Sequence, residues 1–294
     1  MSVVVPVYNS EGTLAALVER LLAVLPTCAD AFEIILVDDG SPDSSWETIC
    51  ALAADLPHVR GLGLMRNYGQ HNALLAGIRQ ARYDVVVTMD DDLQNPPEEL
   101  PRLLEALADG ADVVYGRPME RAHGLGRRLS SRVTRLVLKE AMGAHGAEMV
   151  SPFRAFRREI REGFSEAKGP AVNIDVLLSW STTRFRSIPV RHDKREVGRS
   201  NYTLRRLVRH AMNLLTGFST QPLRIASMTG FFFTMVGIGI LVYVLTRYIQ
   251  TGGQVHGFAF LASIVCVFAG AQMFTIGVIG EYMARMYHRM MEKP

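Results

Sequence analysis

The stretch Val85-Val86-Val87-Thr88-Met89-Asp90-Asp91-Asp92-Leu93-Gln94-Asn95-Pro96-Pro97-Glu98 decides how this chain is read. Three consecutive valines form a β-branched run suited to a buried parallel strand. That strand delivers Asp90, Asp91 and Asp92 to its carboxyl end, where open α/β sheets bind their ligands. Three adjacent acids repel one another, so a packed fold tolerates them beside a cation or an array of hydrogen-bond donors. Oxygen ligands at this density suit Mg²⁺ or Mn²⁺, which in turn can clamp a diphosphate. Taken alone, the triplet reads equally well as a solvated acidic turn capping the helix near Pro97.

Upstream, Ser2 to Val7 reads as a first strand and Tyr8-Asn9-Ser10-Glu11-Gly12 as a tight turn. Leu14, Leu17, Val18, Leu21 and Leu22 follow at helical spacing. Phe32 to Val37 predicts a second strand, closed by Asp38-Asp39-Gly40-Ser41-Pro42-Asp43, with Ser44 or Ser45 capping the next helix. A third strand near Val59 to Leu64 leads through Arg66-Asn67-Tyr68-Gly69-Gln70-His71 into a helix from about Asn72 to Ala81. Downstream of the acidic triplet come a helix from Glu98 to Asp109 and a strand from Asp112 to Gly116. Strands alternating with helices of this length predict βαβ units and a mainly parallel sheet. Polar turns after the first, second and fourth strands then converge on one crevice. They form a binding site.

At 294 residues the chain can hold one large domain and something extra. Its 48% hydrophobic content is high for a soluble protein, and the excess lies at the C-terminal end. The net charge is only +3, with basic residues clustered between Arg117 and Lys139 and between Arg184 and Arg209. That distribution suits local anionic partners and not a nucleic-acid-binding stripe. Cys28, Cys50 and Cys266 show neither metal spacing nor a paired framework, which points to a reducing compartment. No cationic region followed by an apolar one opens the chain, so no signal peptide is expected.

Arg128, Arg132, Arg135 and Lys139 fall on one face of a helix, suited to solvent, to anionic lipid headgroups or to a phosphate ligand. Between Pro170 and Pro189 a mixed helix and strand carries Asp175, for which a structural role is expected. Residues 203–224 interleave leucines and arginines as an interfacial amphipathic helix does. Ile225 to Tyr248 and Phe258 to Gly280 each exceed the roughly 20 residues that cross a bilayer core. Arginines and a lysine flank the pair on its outer sides, so both termini should be cytoplasmic. Gly237, Gly239, Gly270, Ala271 and Gly277 would permit close helix contact. The expected organisation is a catalytic domain over 1–202, an amphipathic segment over 203–224, a membrane hairpin over 225–280 and a tail over 281–294.

Together, Pro6-Val7-Tyr8-Asn9, Val37-Asp38-Asp39-Gly40-Ser41 and Asp90-Asp91-Asp92-Leu93-Gln94 resemble the GT-A inverting glycosyltransferases of family two. Arg66-Asn67-Tyr68-Gly69-Gln70-His71, Leu93-Gln94-Asn95-Pro96-Pro97-Glu98-Glu99 and Gly280-Glu281-Tyr282 look like the polyprenyl-phosphate members. Among these, the undecaprenyl-phosphate formamido-arabinose transferases are most similar, with dolichyl-phosphate mannose synthases and bactoprenol glucosyl transferases further off. The resemblance implies a Rossmann-like GT-A fold, a nucleotide-sugar donor, a polyprenyl phosphate acceptor, Mg²⁺ or Mn²⁺, and a homo-oligomer in the inner membrane. It places Pro6, Tyr8 and Glu11 at the base and ribose, and lets Asp39 accept from the base N–H. Asp90 and Asp92, with Gln94, would hold the metal, and Asp91 belongs to the nucleotide site. Arg117 would contact phosphate, and Arg128 or Arg132 the lipid phosphate.

Two departures stand out. The family's Gly-Glu-Ser-Lys-Tyr loop is Gly198-Arg199-Ser200-Asn201-Tyr202 here, so Arg199 would replace the lysine, with Arg195 nearby. Met149-Val150-Ser151-Pro152-Phe153 stands where the arabinose enzymes carry Gly-Cys-Met-Leu. Transfer to another lipid or to a polysaccharide, and a non-catalytic module that senses nucleotide sugars, are the alternative readings. His71, near a helix start, is expected to be a structural hydrogen-bonding residue.

Overall fold

The structure is a computed structural model that describes residues 1–119, 149–164, 172–193, 221–250 and 257–290. The chain divides into two compact units, Met1–Val208 and Arg209–Pro294.

In the first unit the elements run β1 (Ser2–Val7), α1 (Glu11–Cys28), β2 (Glu33–Asp38), α2 (Ser45–Asp55), β3 (Val59–Gly63), α3 (Gln70–Gln80) and β4 (Val85–Thr88). They continue with a 3₁₀ turn (Pro97–Glu99), α4 (Leu100–Ala108), β5 (Val113–Pro118), β6 (Arg154–Arg157), a second 3₁₀ segment (Arg158–Phe164), α5 (Ile174–Ser181) and β7 (Phe185–Val190). Among the described residues seven strands form one sheet in the order β3-β2-β1-β4-β6-β5-β7. β1 pairs in parallel with both β2 and β4, and β5 with β7, so the sheet is mainly parallel as expected. The exception is β6, which lies antiparallel between β4 and β5 and which the sequence pattern did not disclose.

Val3, Val5, Leu36 and Val87 point into a core shared with Leu14, Leu17 and Leu21 of α1, Ile49 of α2 and Leu103 and Leu107 of α4. Val4, Ile35, Val37 and Val86 face the other way, onto Leu74 and Ile78 of α3 and Ile174 and Leu178 of α5. Strands covered on both faces explain why β1, β2 and β4 read as unbroken apolar runs and not as alternating ones. Each fully buried aliphatic side chain contributes roughly 1.5–3 kcal/mol. The result is a three-layer α/β/α sandwich.

Several boundaries differ from those read in the sequence. α3 begins at Gln70, two residues early, because Gly69 (φ +91°) turns the chain directly into it. β5 runs on through Pro118, which makes Arg117 part of the strand. Ser44 occupies the position before α2 without a side-chain cap; Asp43 Oδ1 accepts from Ser45 N–H instead, at 3.2 Å.

The second unit holds two described helices, α6 (Gln221–Gln250, 30 residues) and α7 (Phe258–Met290, 33 residues). Both are long and apolar enough to cross a membrane. Phe231, Phe232, Leu241 and Tyr243 of α6, and Leu261, Val265, Met273 and Phe274 of α7, are each more than half exposed. An exposed apolar surface of that extent marks a membrane or protein contact. Phe268 packs edge-on to Phe233 at 5.9 Å between ring centres, and a Cβ on Gly237 would meet the Phe268 ring at 2.9 Å. A Cβ on Gly239, Gly270 or Gly277 would meet nothing within 4 Å among the described residues, which leaves contact between subunits as the reading for them. α7 also continues through Met290, beyond the expected end of the span at Gly280.

Candidate active site

The strand order reverses between β1 and β4, since β2 and β3 extend the sheet on one side of β1 and β4 opens the other. Loops diverge at such a switch point and leave a crevice at the carboxyl ends of the strands. Asp90, Asp91 and Asp92 follow β4 at that point, each partly exposed. Gln70 Nε2 donates to Asp90 Oδ1 at 2.6 Å, Tyr8 N–H to Asp91 Oδ2 at 3.3 Å, and Gln94 N–H to Asp92 Oδ1 at 3.2 Å. Leu93 adopts φ +59°, unusual for a branched residue, and so folds Gln94 back on Asp92. Burial, then the neighbouring charges of Asp92 and Asp91, push Asp90 up to about 7. Burial likewise raises Asp91. Among the described residues, Arg154 offsets part of this charge at Asp90.

The turns after β1 and β2 interlock. Asn9 N–H donates to Ser41 Oγ at 3.1 Å, Ser10 N–H to Ser45 Oγ at 2.9 Å, and Glu11 N–H to Asp43 Oδ2 at 3.2 Å. In return Ser44 N–H donates to Glu11 Oε2 at 3.0 Å. Asp39 is buried, and its two oxygens accept from Tyr68 N–H at 2.7 Å and Gly69 N–H at 2.8 Å. Burial nevertheless raises its pKa. A role for Asp39 as acceptor from a base therefore has to be shared with holding the loop that starts α3. Arg66 caps this wall with its guanidinium 4.6 Å over the Tyr68 ring.

The structure thus brings Tyr8, Glu11, Asp39, Asp90, Asp91, Asp92 and Gln94 to the carboxyl ends of the adjacent strands β1, β2 and β4. Pro6 lies within β1, beside Val37. Arg117 stands exposed at the carboxyl end of β5, on the same edge of the sheet. Arg128, Arg132, Arg195 and Arg199 lie outside the described residues. His71 Nδ1 accepts from Ile174 N–H at 3.4 Å, joining α3 to the start of α5.

Sequence reasoning missed a cluster just behind the acidic turn. Arg154, fully buried on β6, ion-pairs closely with Asp175 and donates from Nε to Thr88 Oγ1 at 2.8 Å. Tyr115 Oη donates to the same Asp175 oxygen at 3.0 Å. Burial works against the arginine's charge, but Asp175 outweighs it and holds Arg154 protonated. The signal was an arginine inside Phe153-Arg154-Ala155-Phe156, since a buried cation requires a buried acid.

Among the described residues no three His, Cys, Asp or Glu side chains gather into a complete metal cage. Mg²⁺ and similar hard ions commonly use one or two carboxylates and complete their shell with phosphate oxygens and water. Asp90 and Asp92 each engage one oxygen in the turn and retain lone pairs for a cation. The donor set fits a divalent ion that completes its shell with other oxygen ligands.

A mainly parallel sheet with an acidic turn at its switch point is the architecture of a GT-A glycosyltransferase. The family model described as Glycosyl transferase family 2 matches residues 2–165, more than half of the chain, and the chain belongs to that family. It is 36% identical, over its whole length and 91% of the relative's, to the undecaprenyl-phosphate 4-deoxy-4-formamido-L-arabinose transferase of Yersinia pestis (strain Pestoides F). The transferase of the same description from Yersinia pseudotuberculosis serotype O:3 (strain YPIII) matches to the same extent. Glucosyl-3-phosphoglycerate synthase from Mycobacterium tuberculosis, solved with Mn²⁺ and uridine-diphosphate-glucose, shares the fold with a TM-score of 0.51 and 21% identity. That likeness covers 73% of this chain and 76% of the other.

Proposed function

We propose that this glycosyltransferase moves a sugar, formamido-arabinose or a close analogue, from a UDP-linked donor to undecaprenyl phosphate or a related polyprenyl phosphate. The observation that carries this reading is the 36% identity, over the whole chain including both apolar helices, to transferases described by that acceptor and sugar. Asp90 and Asp92, assisted by Gln94, would hold Mg²⁺ or Mn²⁺. When bound, the ion supplies Lewis-acid neutralisation of charge on the leaving nucleotide. Pro6, Tyr8 and Glu11 border the base and ribose, Asp39 fixes that wall, and Asp91 shapes the nucleotide site by holding Tyr8.

The acceptor is a phosphate monoester with a second pKa of about 6, already largely dianionic at neutral pH. Its oxygen attacks the anomeric carbon as the nucleoside diphosphate leaves from the opposite face, which inverts the configuration. No side chain has to remove a proton. The task for the protein is to offset repulsion between two anions, and Arg117, Arg128, Arg132, Arg195 and Arg199 are the cations nominated for it. The helices α6 and α7 embed the enzyme in the bilayer that carries the acceptor, as one subunit of a homo-oligomer. The positive flanks, Arg205, Arg206, Arg209 and Arg224 before the spans and Arg285, Arg289 and Lys293 after them, put both termini in the cytoplasm of an inner membrane.

One sequence feature bears on the sugar, Met149-Val150-Ser151-Pro152-Phe153 where the arabinose enzymes carry Gly-Cys-Met-Leu, while Asn201 in place of the loop lysine bears on a phosphate contact. The deciding experiment incubates purified protein with undecaprenyl phosphate and a panel of nucleotide sugars, and reads the mass of the extracted lipid. A lipid-linked formamido-arabinose supports the first reading. A different lipid-linked sugar replaces only the sugar, and transfer exclusively to a protein or diacylglycerol acceptor overturns the proposal.

A further inference from the structure

The reaction as proposed makes no use of the buried cluster behind the acidic turn. Arg154 is only 1% exposed and stands directly opposite Thr88 in the register of β4 and β6. Through Nε it donates to Thr88 Oγ1, and Thr88 Oγ1 donates in turn to the carbonyl of Pro152 at 3.0 Å. Asp175 receives both the guanidinium and the Tyr115 hydroxyl. Four elements (β4, β5, β6 and α5) therefore meet at one arginine. Among the described residues no buried side-chain nitrogen or oxygen is left without a partner, so the cluster is closed on itself.

A buried ion pair contributes little stability over an apolar pair of the same volume, so its retention calls for another reason. Thr88 is the last residue of β4, and Asp90 follows two residues later. The guanidinium also interacts with the Asp90 carboxylate through space. We infer that Arg154 is a positioning residue for the acidic turn: through Thr88 it fixes where β4 ends and where Asp90 and Asp92 stand, and so sets the affinity for a divalent cation. The inference rests on the metal reading given above. It also assigns Asp175, which serves the arginine and takes no proton from the acceptor.

The test measures Mn²⁺ binding without turnover, by electron paramagnetic resonance of the free ion, on full-length protein in detergent with UDP present. Thr88→Val removes the hydroxyl at nearly constant shape, and Arg154→Lys keeps the charge but loses the planar fork. Both are expected to weaken Mn²⁺ binding by about tenfold or more, as removal of groups that orient metal ligands does. The control is Arg60→Met, which breaks a 2.8 Å pair with buried Glu33 at the opposite end of the sheet. It should lower the melting temperature and leave Mn²⁺ binding unchanged. Normal Mn²⁺ affinity in Thr88→Val, or an equal loss in Arg60→Met, overturns the inference, and Thr88→Val decides the matter if Arg154→Lys does not fold. A parent protein that binds no Mn²⁺ overturns the metal reading itself, and the inference with it.

Discussion

The backbone N–H of Tyr8, just past β1, donates to Asp91 Oδ2 at 3.3 Å and so ties together the two strands that flank the switch point of the sheet. The middle aspartate thereby reaches the turn after β1, whereas Asp90 accepts from Gln70 of α3 and Asp92 from Gln94 within its own turn. Asp91→Ala should raise the KM for the nucleotide sugar several-fold, with turnover at saturating donor falling much less. Steady-state kinetics over a donor titration read the split. A loss confined to turnover would place Asp91 in the chemistry instead.

Gly40 makes the corner between β2 and α2 at φ +66°, and a Cβ there would lie 2.8 Å from the backbone of Arg66 and Asn67. Gly40→Ala would therefore force apart the two loops that Asp39 joins. Strain of this kind costs on the order of 1–3 kcal/mol. The expected outcome is a lower melting temperature together with weaker nucleotide binding, measured by thermal unfolding with and without UDP.

Asp175→Asn would leave the buried Arg154 without its counter-charge, a change that typically costs about 3–5 kcal/mol. The paired replacement Arg154→Met with Asp175→Leu should recover much of the melting temperature. It should not recover metal affinity. Thermal unfolding separates the two variants, and equal instability in both would mean that the ion pair is worth more than apolar packing at this site.

At the amino end of the sheet, burial opposes the charge of Glu33, but hydrogen bonds from Arg60, Arg82 N–H and Ser2 outweigh it and hold its pKa low. A carboxylate whose folded pKa is depressed adds stability above its unfolded pKa of about 4.3, and that stability disappears as pH falls through the folded value. Glu33→Gln should thus melt below the parent at neutral pH and converge with it in acid. Melting curves between neutral pH and about pH 3 provide the check.

How much of this was legible in the sequence depended on how local each signal was. Val85 to Val87 and the acids after them announced a buried strand and its ligand end within a few residues, and the turns after β1 and β2 did the same. β6 escaped because it is four residues long and carries arginines at both ends, Arg154 and Arg157, so neither its apolar run nor its alternation survives. The roles of Arg154 and Asp175 depend on a pairing across 21 residues that no spacing rule reports. Asp39 was legible as a polar residue at the end of a strand, yet its grip on Tyr68 and Gly69 needed coordinates, since backbone donors have no signature in the side-chain pattern. The apolar helices were plain from length alone, whereas which glycine meets an aromatic ring was not.

The central claim, a divalent ion held by Asp90 and Asp92 on a sugar nucleotide for transfer to a polyprenyl phosphate, is tested most directly by one assay. Parent protein and Asp92→Asn are incubated with UDP-sugar, undecaprenyl phosphate and Mn²⁺, with and without chelator, and the glycosylated lipid is quantified by mass spectrometry. The account predicts product from the parent only when the ion is present, and a loss of at least about a hundredfold in Asp92→Asn at an unchanged melting temperature. Undiminished product in chelator, or from Asp92→Asn, would contradict it.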